Sequence, residues 1–154
     1  MIQMDINRRS IGVNFNSNGE AEVAIWAPSQ EKVEVVLSDS KRIPLVKDEF
    51  GYWRTITNEI KKDNLYKVVL GEDKIFPDPA SLSQPAGVHG HSRAVNIQDF
   101  QWSDHDWKNL PLEEYVLYEL HVGTFTPEGT FSALEKKLPY LKELGVNAIE
   151  IMPV

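Results

Sequence analysis

The chain has 154 residues, of which 42% are hydrophobic, 25% charged and 10% aromatic, with 9 Gly and 9 Pro; this is a globular composition with room for one domain, or for one domain and part of a second. A formal charge of −7 argues against a nucleic-acid partner, because phosphate binding needs clustered Lys and Arg to displace counterions, and it directs attention to a small or uncharged ligand. Cysteine is absent, which removes disulfide and thiolate chemistry; there is no signal-peptide core and no apolar run of roughly eighteen residues, so no membrane partner is expected and the expected location is cytoplasmic.

From Ile11 to about Phe76 the apolar residues recur with period two over short runs, the pattern of half-buried antiparallel strands. Residues 22–26, 32–37, 41–45, 52–57 and 65–70 carry it. Turn formers separate them, among them Asn18-Gly19, Pro28-Ser29, Gly51 and Gly71, at the spacing of a β-sandwich. The expected first domain is therefore an immunoglobulin-like β-sandwich of the early-set type, over residues 1–76.

Residues 77–112 lose the periodicity and become rich in Pro, Gly, Ser and aromatics. A packed linker is expected, with Trp102 and Trp107 docked on a domain surface because their apolar area is too large to leave in water. His89, His91 and His105, with Asp104 and Asp106, have the chemistry of zinc ligands. A His-x-His step on an unperiodic loop is weak evidence, however, and no metal or cofactor is expected.

From Tyr115 the sequence VLYELHV reads as a near-continuous apolar strand, followed by a turn, a helical run and a second strand, NAIEIMPV. Leu134, Leu138 and Leu141 fall at i, i+4 and i+7, Thr130 is placed to cap the helix, and Gly145 sits where a helix C-terminus favours a left-handed residue. Pro139 requires a kink or a new start near Leu138. The order is β-α-β, which implies a parallel sheet covered on both faces. Two strands are too few for such a sheet, so the chain is expected to stop within a domain. Apolar strand edges and side chains such as Val116, Ile149 and Ile151 then give an expectation of self-association through the C-terminal forty residues.

Four segments carry a family resemblance. FPDPASLSQPAGVHGHS (76–92) resembles the linker of maltooligosyltrehalose trehalohydrolases; YVLYELHVGTFTPEGTF (115–131) resembles their first barrel strand and loop, also found in glycogen branching enzymes; LPYLKELGVNAIEIMPV (138–154) resembles the first barrel helix and second strand of the alpha-amylase superfamily. IWAPSQEKVEVVL (25–37) resembles the start of the sandwich domain that precedes such barrels. The resemblance implies a carbohydrate-binding-module-like sandwich over 1–76, a packed linker over 77–112, and over 113–154 the first β-α-β unit of a (β/α)₈ TIM barrel. It also implies retaining hydrolysis of the α-1,4 bond next to a terminal trehalose, by an aspartate nucleophile and a glutamate acid/base. In the family those carboxylates lie on later barrel strands. No residue here is assigned a catalytic role, and the chain by itself is expected to be inactive. The implied partner is an α-glucan or maltooligosyltrehalose. Two alternatives stay open: the corresponding part of a 1,4-α-glucan branching enzyme, and a stand-alone α-glucan-binding module.

Two sets of residues are candidates for function. Trp26, Tyr52 and Trp53 on the sandwich have aromatic faces that could stack on a sugar ring, or they brace a domain boundary and a turn. Glu119, His121 and Glu150 are the polar residues of the two C-terminal strands and by alternation share one side, facing the barrel interior. Buried there they need partners, and a packed structural network is preferred over a catalytic one.

Overall fold

The computed structural model describes residues 9–154. Residues 1–8, included above in the sandwich and read as lacking a signal core, lie outside the described residues. The chain divides into two compact units, one ending at Gln101 and the other Trp102–Val154.

In the first unit β1 (Gly12–Phe15), β2 (Ala21–Trp26), β3 (Val33–Leu37), β4 (Arg42–Pro44), β5 (Val46–Lys47), β6 (Tyr52–Thr57), β7 (Leu65–Leu70), β8 (Lys74–Phe76) and β9 (Ser92–Arg93) follow in order. The five runs of period-two sequence correspond to β2, β3, β4, β6 and β7. One antiparallel sheet has the order β1-β2-β6-β5; the other has β4-β3-β7-β8, with β9 also pairing with β7. Alternation sends Val13, Phe15, Ala21, Val23, Ile25 and Trp53 from the first sheet, and Val33, Val35, Leu37, Tyr66 and Val68 from the second, into one shared core. Each large apolar side chain so buried contributes about 1.5–3 kcal/mol. The result is a mainly β sandwich.

On the outer side of the second sheet Glu34 is nearly buried and lies 3.1 Å from Lys32 and 3.0 Å from Arg42. Burial pushes its carboxyl up, but the bonds and charges of Lys32 and Arg42 outweigh burial and hold it below the usual range.

The segment after β8 is fastened to this sandwich by buried polar groups. Asp78, 1% exposed, accepts a 2.7 Å hydrogen bond from the Tyr66 hydroxyl, and its N–H donates to the Ser92 hydroxyl at 2.9 Å. Burial, then the charge of Asp78, pushes the Tyr66 phenol far up, so it stays protonated and donates. Gly12 lies against this knot at φ +72°. A Cβ there would stand 2.9 Å from the Arg9 guanidinium and 3.1 Å from Asp78 Oδ2. Ala94 enters the core, its N–H and C=O bonded to Asn64 and Asp63.

Trp102 and Trp107 differ from expectation. They are 66% and 68% exposed, with the Trp107 N–H donating to Asn109 Oδ1 at 3.0 Å. Their neighbours Ser103, Asp104, His105 and Asp106 are all exposed.

The second unit contains β10 (Leu117–Leu120), α1 (Val122–Phe125), α2 (Phe131–Glu135), α3 (Leu138–Glu143) and β11 (Ala148–Ile151). The helical run is broken as Pro139 requires: α2 ends, and α3 starts with the proline in its first turn. Thr130 caps α2, its side chain accepting from Ala133 N–H at 3.2 Å. β10 and β11 pair in parallel, with Leu117 opposite Ala148 and Glu119 opposite Glu150. Asn147 holds the two strand starts together: its Oδ1 accepts from Val116 N–H and its Nδ2 donates to Glu114 C=O, both at 2.7 Å. Leu120, Val122, Leu134 and Leu141 form a small core, joined by Phe125, Val146 and Ile149. Ile149 therefore packs inward, unlike the exposed position expected for it, because it lies on the helix-facing side of β11. Ile151 is 44% exposed.

Candidate functional site

The outer face of the four-stranded sheet is the candidate carbohydrate surface. Trp26 ends β2 directly opposite Tyr52 in β6, and Ala24 is opposite Arg54; cross-strand partners project to the same side. Trp26 is 63% exposed and Phe50, in the β5–β6 turn, is 72% exposed. The Trp26 indole N–H donates to the Phe50 carbonyl at 3.3 Å, which brings the two aromatic residues to one corner. Tyr52 is half-buried and carries the Arg54 guanidinium 4.8 Å above its ring.

The corner is held by its turn. Asp48 Oδ1 accepts from the N–H groups of Phe50 (3.0 Å) and Tyr52 (2.9 Å), and Oδ2 accepts from Arg54 Nε at 3.0 Å. Burial pushes the Asp48 carboxyl up, but these bonds win and hold it below its ordinary range. Because the folded value is depressed, the stabilisation is present above the ordinary carboxylate range and is lost as pH falls below it. Gly51, at φ +82°, sits where a Cβ would come 2.7 Å from Pro28 Cβ. Only glycine allows this turn to lie against the 27–28 segment, where Ala27 N–H bonds to Gly51 C=O at 3.1 Å.

Trp53 does not belong to this surface. It is 6% exposed, its N–H donates inward to Ala27 C=O at 3.0 Å, and the Lys47 ammonium lies 5.6 Å from its ring centre. By alternation it points into the core, so it presents no face to a sugar. Phe50, Asp48 and Arg54 were not singled out from the sequence. The signal was available in part: Arg54 is two residues from Tyr52 and so shares its side, whereas the reach of Phe50 to Trp26 depends on a turn conformation.

In the second unit Glu119 and Glu150 are brought side by side by the strand register, on the side of the pair opposite the small core. His121 follows β10 and caps α1, its Nδ1 accepting from Gly123 N–H at 3.1 Å. All three side chains are exposed in this chain. His89, His105, Asp104 and Asp106 are exposed and His91 half-buried. Among the described residues no group of three or more His, Cys, Asp or Glu side chains is gathered to hold a metal ion. No helix among them is long and apolar enough to cross a membrane.

Residues 10–81 match the family model of carbohydrate-binding module 48, the isoamylase N-terminal domain. Over 143 residues, 93% of the chain, the sequence is 43% identical to the malto-oligosyltrehalose trehalohydrolase of Saccharolobus solfataricus and covers 24% of that protein. The chain is related to the malto-oligosyltrehalose trehalohydrolases. It spans about a quarter of the length of these relatives. A 1,4-alpha-glucan branching enzyme of Pseudomonas fluorescens is more distant, 31% identical over 85% of the chain and 21% of the enzyme. Among solved structures, a putative alpha amylase from Salmonella typhimurium superposes with a TM-score of 0.87 at 37% identity, covering 96% of this chain and 25% of that one.

Proposed function

We propose that this chain forms the N-terminal part of a cytoplasmic retaining glycoside hydrolase that releases trehalose from maltooligosyltrehalose by cleaving the adjacent α-1,4-glucosidic bond. The observation that carries the reading is the 43% identity to a trehalohydrolase across 93% of the chain. In this reading residues 1–76 are the sandwich, 77–112 the linker, and 113–154 the opening β-α-β unit of a (β/α)₈ barrel; the parallel pairing of β10 with β11 supports the last assignment. Glu119, His121 and Glu150 then belong to a polar network lining the barrel interior, positioning rather than reacting groups. The nucleophile and acid/base that flank the scissile bond are assigned to no residue of this chain.

The test is product analysis with maltooligosyltrehalose. The protein that carries this sequence together with the rest of a barrel is expected to release trehalose, and the 154-residue chain alone none. Trehalose from the purified 154-residue chain would overturn the assignment of catalytic groups. New α-1,6 branches in amylose, made by the longer protein without trehalose release, would replace the reading with branching, which the Pseudomonas relative keeps in view.

The reading extends to contact between copies of this chain. Ile151 is 44% exposed at the end of β11, an apolar side chain of the kind that associates. Ile151→Lys is expected to shift the chain toward monomer in light scattering without altering its circular dichroism; a parent chain that is monomeric at high concentration removes the idea. Ile149 is unsuited to this test because it packs in the small core.

A further inference from the structure

One asparagine of the sandwich is held differently from the rest. Every other described asparagine, from Asn14 to Asn147, uses its side-chain amide in a hydrogen bond. Asn18, at the tip of the β1–β2 turn, uses its side chain in none among the described residues; its backbone N–H alone is bonded, to Asn16 Oδ1 at 3.0 Å. Asn18 is also followed by glycine, as no other asparagine of the sequence is. We propose that Asn18 is a site of spontaneous deamidation, converted through a succinimide shared with Gly19 into isoaspartate and aspartate. The inference stands apart from the glucan chemistry proposed above.

The reaction balances with water as its co-reactant. The Gly19 nitrogen attacks Asn18 Cγ, the bond from Cγ to the side-chain nitrogen breaks, and ammonia leaves with the proton from Gly19. Water then opens the ring. Addition at Cγ gives aspartate; addition at the Asn18 backbone carbonyl gives isoaspartate, in which the main chain runs through Cβ and Cγ. The local geometry favours attack here. Gly19 has no side chain to shield its nitrogen, and where a Cβ would lie no atom beyond its chain neighbours comes within 4 Å. Ser17, Asn18 and Gly19 are all exposed, so water reaches both ring carbonyls. Asn147 shows the opposite case, its amide fixed at both ends by bonds of 2.7 Å.

The fold sets the pace. Gly19 N–H donates to the Asn16 carbonyl at 2.9 Å, so attack waits for the turn to open. An exposed turn tip opens locally, at far less cost in free energy than global unfolding. The product does not close it again. Asn16 is the clasp: its Oδ1 accepts from the N–H groups of Asn18 and Glu20, both at 3.0 Å, and its own N–H donates to Glu20 C=O at 3.0 Å. Isoaspartate lengthens the chain between these two residues by one backbone atom and adds a carboxylate two residues from Glu20. Phe15 and Ala21 form the strand pair next to the turn, so the expected result is a frayed end of the β1–β2 hairpin.

The experiment is incubation of the whole 154-residue chain in alkaline buffer, followed by ammonia release, peptide mass mapping and methylation by a carboxyl methyltransferase specific for isoaspartate. Deamidation is expected at residue 18 at least about tenfold faster than at any other asparagine. Its rate should rise in proportion to hydroxide concentration, as attack by a deprotonated amide requires. Asn18→Gln, whose amide needs a larger ring, is expected to reduce ammonia release to the level of the other amides; the side chain it replaces makes no bond, and circular dichroism checks the fold. Asn16→Ala loosens the turn and is expected to raise the rate at residue 18 several-fold. In the isoaspartate form, hydrogen exchange at the amides of Asn16 and Glu20 should accelerate about tenfold or more, while that of Val35 and Val68 in the second sheet stays unchanged. Residue 18 unmodified at the end of the incubation, or ammonia release undiminished in folded Asn18→Gln, overturns the site. Equal rates in Asn16→Ala and the parent chain overturn its gating by the turn.

Discussion

Trp53→Ala is expected to remove about 3–5 kcal/mol from the unfolding free energy of the sandwich, the usual cost of deleting a buried large aromatic. The ring lies in the shared core and its N–H satisfies the Ala27 carbonyl. Alanine would leave a cavity at the base of the Trp26 corner and remove one of the two hydrogen bonds to the Ala27 carbonyl, which keeps the one from Gln30 N–H at 3.1 Å. Trp53→Phe keeps most of the packing and loses the hydrogen bond, and a smaller loss of about 1–2 kcal/mol is expected. Urea unfolding followed by far-ultraviolet circular dichroism measures both. Against a total stability of about 5–15 kcal/mol, a loss below about 1 kcal/mol for the alanine variant would show that Trp53 is a surface residue after all.

Asp78→Ala is the second large effect, expected at about 3 kcal/mol. It takes from the Tyr66 hydroxyl, in a side chain 1% exposed, its charged acceptor; a buried polar group that loses its bond costs about 1–3 kcal/mol, more when the lost bond was to a charge. The Ala80 N–H, which donates to Asp78 Oδ1 at 2.8 Å, loses its acceptor as well. Tyr66→Phe removes the donor and should make the second substitution less harmful, so the double variant is expected to lose less than the sum of the singles. Strict additivity in the same urea experiment would mean that the bond carries no stability. Limited proteolysis provides a local reading: cleavage within residues 79–90 should accelerate in Asp78→Ala, because that carboxylate fastens the segment to the sandwich.

The strands of the sandwich were legible because period-two alternation is a property of burial itself: Val23 and Ile25 go in, Glu22 and Trp26 stay out. β1, β5, β8 and β9 were not legible, being two to four residues long, too short to show a period. The break before α3 was legible because proline has no N–H to give. Trp53 was misread for a physical reason. Aromatic identity says that a residue can stack on a sugar, but only its parity along the strand says whether it does, and Tyr52 and Trp53, as neighbours, must point to opposite sides. The buried Asp78–Tyr66–Ser92 knot was invisible to periodicity, since its members are separated by 12 and 14 residues and joined only by the fold. The trehalohydrolase relationship was legible from the residues at 76–92 and 115–131, which resemble the linker and the first barrel strand and loop of those enzymes.

Asn147 sets the phase of everything after it. A strand pair with period two tolerates no slip of one residue, because every side chain would change sides. Here one amide spans the gap, accepting from Val116 and donating to Glu114, so β11 begins opposite a fixed point of β10. With that phase Leu120 and Ile149 meet the helices and the two glutamates stand together on the other side. Moved by a single residue, Glu150 would be driven beneath the helices and Ile149 turned out in its place. The amide works as an index mark, and the chemistry available on the glutamate side is decided by a residue that takes no part in it.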